Sequence, residues 1–335
     1  MGWIVRFWGM DMEAVGMGEI DGNVREILAQ AEVNYANVDI TDDFMFAYVM
    51  QRPDLCIELL EYLFPGHKIQ RVVYLAADEE SEADITVVVE NGVAQTTYPV
   101  TQKTLAVAFG KKGIRMDVYL DDGNVVYNVE MQATRTGHLP KRARYYAGQV
   151  DINQLNRGQQ YDQLKPTYII FICKFDPFGK DLYQYTFCNK CDEVDGLELG
   201  DESYKIFLNT AGIKDHTDEK DSFGKQKGAN NRISDGMKEL LKYMNNTKSY
   251  PVESTQYDLI KKIDAAVAYA KQDEEWRRAY MTYQANQRDA ELRGDERRAK
   301  ESALNMYNDG LTVEKISKYV GYAVEIVKKW VGITV

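Results

Sequence analysis

The sequence predicts a mixed β-sheet flanked by helices, followed by a helical C-terminal extension. Three observations predict it. Two runs, 114–120 and 125–131, are rich in Val, Ile and Tyr and flank Asp121-Asp122-Gly123-Asn124; Asp-Gly between such runs is a hairpin signal. Residues 166–173 form an almost unbroken apolar run, as expected of a central strand covered on both faces. Between them stands Pro140-Lys141-Arg142-Ala143-Arg144-Tyr145-Tyr146, where Pro140 suits the first turn of a helix. Strand, strand, helix, strand with helices in front makes a mixed α/β sheet.

The elements follow in chain order. Residues 21–34 place Val24, Ile27, Leu28 and Ala31 on one helical face. Thr41 is expected to cap the next helix, with Asp42 and Asp43 in its first turn, where the helix dipole favours acids. Leu55, Leu59, Leu60 and Leu63 form the core face of a helix over 53–64, ended by Pro65-Gly66. Residues 69–75 read as a first strand and 85–89 with 95–100 as a hairpin about Asn91-Gly92. Beyond the 166–173 strand, 183–188 and 204–209 read as strands, 215–232 as an exposed excursion, and 233–245 and 255–270 as helices.

Residues 274–307 are dominated by Glu and Arg at helical spacing, as one long helix or two. A solvated linker and a dimerising coiled segment both fit, so a homodimer stays open. The end reads as helix, Gly321, helix, with Val313, Ile316, Val320, Val324 and Val327 as core spacing. A helix-turn-helix that touches DNA and a plain helical hairpin both fit this pattern. The divisions expected are 1–38 as an N-terminal extension, 39–250 as the sheet domain, 251–307 as a charged helical linker and 308–335 as the helix-turn-helix-like tail.

The 335 residues are 44% hydrophobic, enough for two cored domains, and the net charge of −11 argues against a general nucleic-acid coat. Positive charge instead gathers locally between Lys103 and Arg144. No apolar run is long enough to span a membrane, and Arg6 breaks the apolar start, which makes a poor signal peptide. An overlong start, with Met10 or Met12 as the true first residue, is an equal reading. The four cysteines do not form a disulfide scaffold, and the chain is expected to be cytoplasmic. Cys188 and Cys191 have the spacing of half a zinc site but lack a second pair, so no structural zinc is expected.

Alternation in a strand puts Asn128, Glu130 and Gln132 on one face and Val129 and Met131 on the other. Asp117 lies on the preceding strand, within reach of Glu130 if the two runs pair. Two such acids among Val, Ile, Met and Tyr are either a solvated sheet face or an oxygen site for a hard divalent ion such as Mg²⁺. The cationic and aromatic helix that follows suits a phosphodiester. In it, Arg142, Tyr145 and Gln149 share a face.

Asp117, the hairpin, Glu130-Met131-Gln132 and the Arg-x-Arg-Tyr-Tyr helix together resemble the PD-(D/E)xK nuclease superfamily, and within it the Rpn-type recombination-promoting nuclease and transposase family. The resemblance covers roughly residues 43–212 and implies a restriction-endonuclease-like core, with roughly 78–102 as an inserted hairpin or an elaborated edge. It implies that Asp117, Glu130 and the backbone carbonyl of Met131 hold Mg²⁺ or Mn²⁺, and that Asp43 is an accessory acid. Gln132 stands where the superfamily has Lys and is expected to hold the attacking water; an amide donates a hydrogen bond but carries no charge. Arg142, Tyr145 and Arg115 are the substrate-binding candidates. The expected activity is a metal-dependent DNA endonuclease of low sequence specificity, linked to recombination or mobile elements. The alternative is a DNA-binding or interaction module on the same fold that lacks catalysis.

Overall fold

The computed structural model describes residues 22–69, 72–74, 85–87, 103–105, 114–155, 157–215 and 233–333. The chain divides into two compact units, residues 38–272 and the rest on either side of them. The first unit holds a five-stranded sheet in the order β5-β6-β7-β9-β8, built from β5 (Val118–Asp121), β6 (Val126–Gln132), β7 (Thr167–Cys173), β8 (Gln184–Phe187) and β9 (Ser203–Asn209). β5 and β6 are antiparallel, β6, β7 and β9 are parallel, and β8 closes the edge antiparallel to β9. β7 is central, as its apolar run requires; Ile169 to Cys173 are fully buried.

Parallel neighbours need a long crossover. α4 (Leu139–Gln154) supplies it between β6 and β7, burying Leu139, Ala143, Tyr146, Ala147 and Val150 against Ile169, Phe171 and Phe207. The opposite face begins with Tyr127, Tyr168 and Tyr204, stacked ring on ring across three strands at 5.6 and 4.7 Å. Phe64, just beyond α3 (Pro53–Leu63), packs on Tyr127 and Tyr168. β6 is therefore buried along its whole length.

The hairpin differs from its expected form in one respect that matters for the site. The run 114–120 is broken at Asp117. β4 (Ile114–Met116) pairs with β3 (Lys103–Leu105), while β5 resumes at Val118 and pairs with β6. The first strand, β1 (Val72–Tyr74), pairs with β2 (Ile85–Val87); the expected partner of 85–89 and its Asn-Gly turn lie outside the described residues, as do 216–232. Thr41 does not cap α2 (Asp43–Met50). Asp42 does, accepting from the backbone N–H of Phe44 and Met45, while the Thr41 hydroxyl donates to Asp39. A carboxylate one residue closer to the first turn is the better acceptor for those orphan donors.

α5 (Asp235–Asn245) and α6 (Asp258–Ala270) pack with α3 in this unit, α6 burying Leu259, Ile260 and Ile263. In the other unit, α1 (Gly22–Asn37) lies along α7 (Glu274–Asn308). Tyr35, Trp276 and Tyr280 form an aromatic cluster there, and Arg277 pairs with Glu32. Of the predicted α1 face only Ala31 has a described side chain, and it is buried. The residues 274–308 are one continuous helix. α8 (Val313–Val320) and α9 (Val324–Val331) join through Gly321, whose φ of 75° suits a residue without Cβ. They close on α7 through Ala303, Val313, Ile316 and Val327, with Val320 and Val324 partly buried. Among the described residues no helix is long and apolar enough to cross a membrane.

Candidate active site

The break at Asp117 creates the site. Where β5 ends, the outer edge of β6 loses its strand partner, and Asp117 takes that place with its side chain: its Oδ2 accepts from the backbone N–H of Met131 at 3.0 Å. In return, the backbone N–H of Asp117 donates to Glu130 Oε1 at 3.1 Å. Each acid thus holds the other's strand. In an extended strand a residue's N–H and C=O point to the same edge. Met131 therefore turns its carbonyl to the edge where Asp117 sits, and the neighbouring Gln132 carbonyl turns the other way, accepting from Lys174.

Glu130 is completely buried. Its Oε1 also accepts from Asn128 Nδ2 at 3.0 Å, and its Oε2 accepts from Arg142 Nη2 at 2.7 Å. The same Asn128 Nδ2 also donates to the carbonyl of Val118 at 3.1 Å. Arg142 reaches in from α4, donates to Gln132 Oε1 at 2.7 Å and to the Tyr146 hydroxyl at 3.0 Å, and lies over the rings of Tyr146 and Phe171. Gln132 uses its other end to donate to the carbonyl of Thr134 at 2.7 Å.

The electrostatics follow from this enclosure. Burial pushes Glu130 up to about 7, although the Arg142 charge opposes the shift. Burial and then the Glu130 charge raise Asp117 well above the usual carboxylate range, with Asp43 adding to the repulsion. Two neighbouring acids, one of them fully buried and paired with a guanidinium, cannot both ionise at little cost. The Arg142 guanidinium favours the ionised form of Glu130 directly, and both carboxyls stay raised as a pair. Burial also raises the Tyr146 hydroxyl to about 12, so it stays a neutral acceptor for Arg142.

The donor set tests a divalent ion on its chemistry. Asp117, Glu130 and the Met131 carbonyl offer only oxygen, along one edge, with more negative charge than Arg142 balances; this fits Mg²⁺ or Mn²⁺. Among the described residues no cluster of three or more His, Cys, Asp or Glu forms, so the acid pair stands with the carbonyl and not with a third carboxylate. Cys188 and Cys191 each meet a nearby glutamate, Glu198 and Glu193.

The structure brings Asp117, Glu130, Gln132 and Arg142 together, with Asp43 close enough to act on Asp117. Tyr145 stands partly exposed on α4; Tyr146, one residue on, is the ring that meets Arg142. Gln149 is buried. Arg115 lies on β4 opposite Thr104, and its side chain is outside the described residues. Asn128, Tyr146 and Phe171 were not anticipated as site residues. The four-residue spacing of Arg142 and Tyr146, and the two-residue spacing of Asn128 and Glu130, are the signals that could have found the first two. Phe171 has none, since only the β6–β7 register sets it opposite Glu130.

Compared with known protein families, residues 91–296, more than half of the chain, match the PD-(D/E)XK nuclease family transposase. No curated protein and no solved structure matches the chain.

Proposed function

Since the chain belongs to the PD-(D/E)XK nuclease family transposases, we propose that it is a Mg²⁺- or Mn²⁺-dependent DNA endonuclease of low sequence specificity, acting in recombination or on mobile elements. One observation carries this reading: an acid pair, Glu130 fully buried and Asp117 partly so, in which Glu130 accepts from the Asp117 backbone and Asp117 accepts from the backbone of Met131, beside the edge of β6. A solvated sheet face would leave such acids at their ordinary pKa; these are driven upward and gain from a cation.

Asp117, Glu130 and the Met131 carbonyl are the residues to hold the metal. When bound, a divalent ion supplies Lewis-acid stabilisation of charge growing on a phosphate and makes water more acidic. The chain's own residues do the rest. The two cross-strand hydrogen bonds fix both carboxylates before substrate arrives, so little ordering remains to be done on binding. Arg142 brings positive charge to the same place, with Tyr145 and Arg115 as further candidates to meet backbone phosphates. Such contacts recognise the backbone and carry no base information, which supports low sequence specificity.

Supercoiled plasmid incubated with Mg²⁺ or Mn²⁺ is expected to be nicked or linearised, and chelation should stop the reaction. Plasmid left intact with every divalent ion would favour the non-catalytic module. Deleting residues 309–335 is expected to leave the rate within about twofold, because every proposed site residue lies in the unit 38–272. Ending the chain at Tyr250 should instead cost stability, since it removes α6 and its buried Leu259, Ile260 and Ile263. Melting curves of the two truncations check this.

A further inference from the structure

Gln132 brings no charge to the site, and its amide is committed at both ends. Nε2 donates to the Thr134 carbonyl, so Oε1 must face the other way, and there it accepts from Arg142. The guanidinium that it holds also donates to Glu130 and to Tyr146 and lies against the adjoining rings of Tyr146 and Phe171. A planar, permanently charged fork suits such a site, because it makes several directed hydrogen bonds without losing its charge on burial. Arg135, the other arginine near this end of the sheet, donates to the Asp176 carbonyl and lies over Phe175. Arg142 is thus the cation that touches the acid-pair cluster among the described residues.

Resting on the nuclease reading above, we propose that Arg142 supplies the positive charge of this site from helix α4, and that Gln132 is the positioning residue that aims it. The charge that a lysine at 132 would carry on the strand is carried here from the helix, through a hydrogen bond between the two side chains. Gln132 then serves the guanidinium first, ahead of any water.

The two positions can exchange charge, and this is the test. Wild type, R142Q, R142K and the double variant Q132K/R142Q are compared as full chains by calorimetric Mn²⁺ affinity, plasmid cleavage and melting temperature. R142Q is expected to bind Mn²⁺ about tenfold tighter, because a neighbouring positive charge is gone, and to cleave on the order of 100-fold more slowly. Q132K/R142Q, charged again from the strand, should return Mn²⁺ affinity to the wild-type value and recover cleavage to within about tenfold. A double variant no nearer wild type than R142Q in both measures overturns the proposal, as does an R142Q with unchanged affinity and rate. R142K keeps the charge and covers an R142Q that fails to fold. It should hold Mn²⁺ affinity within about twofold, and markedly tighter binding by R142K overturns the proposal. If wild type cleaves no DNA while the Mn²⁺ affinities shift as stated, the nuclease reading fails and the charge assignment stands. A wild type that takes up no Mn²⁺ overturns both.

Discussion

Asp117→Ala and Glu130→Ala are each expected to reduce plasmid cleavage on the order of a thousandfold or more, because each removes half of the carboxylate set proposed to hold the metal. The two variants should differ in stability. Asp117→Ala frees one backbone N–H, that of Met131, at an edge partly open to solvent. Glu130→Ala strands more: the Arg142 guanidinium, the Asn128 amide and the Asp117 backbone N–H each lose an acceptor at a fully buried position. Glu130→Ala is therefore expected to melt lower than Asp117→Ala, by less than the full penalty of an unpaired buried charge, because Arg142 is part exposed and keeps Gln132 and Tyr146 as acceptors. Asp117→Asn and Glu130→Gln keep the volume and separate the two effects. Loss of cleavage in Asp117→Asn with the circular dichroism spectrum and melting temperature preserved would assign the loss to chemistry; unfolding would assign it to structure.

Without divalent ion, the protein is expected to become less stable as pH rises from about 4.5 through 7. The sign comes from linkage. A carboxylate whose folded pKa lies above its unfolded value contributes stability below the unfolded pKa and loses it as pH climbs through the folded one. Both acids are raised, Glu130 from an ordinary 4.5 to about 7, and the Glu130 shift alone removes on the order of 3 kcal/mol by the upper end of that window. For a unit of this size, that is a fall in melting temperature of roughly 6–12 °C. Mn²⁺ should reverse it, with a larger stabilising shift at pH 8 than at pH 5, because the ion displaces protons from the acids at low pH. Asp117→Asn should flatten the dependence and melt higher than wild type at pH 8. A metal-free wild type whose melting temperature is level across this range would show that the pair pays no such cost.

Much of this protein was legible in its sequence for local reasons. Alternation along 126–132 placed Asn128, Glu130 and Gln132 on one face, and the structure keeps them there. The apolar run of β7 announced a central strand, Pro140 a helix start, and Gly321 a turn between two short helices. These features depend on neighbours within a few residues, and the side-chain periods of strand and helix carry them.

Other features depended on contacts that the sequence does not record. Nothing local marks the break at Asp117, since Val, Ile and Tyr continue on both sides. It arises because β4 finds a partner in β3 while β5 finds one in β6. That division opens the edge of β6 and lets a side chain replace a strand at Met131. Arg142 could be placed on a helix face, but not against Glu130. Its position follows from the crossover that lays α4 on the sheet, and the same packing brings the adjoining rings of Tyr146 and Phe171 against it. The sequence by itself determined which residues carry charge and which way each strand residue points. The tertiary structure decided which charges meet and how far they are buried, and so set the raised pKa values of Asp117 and Glu130 and the place of Arg142 against Glu130.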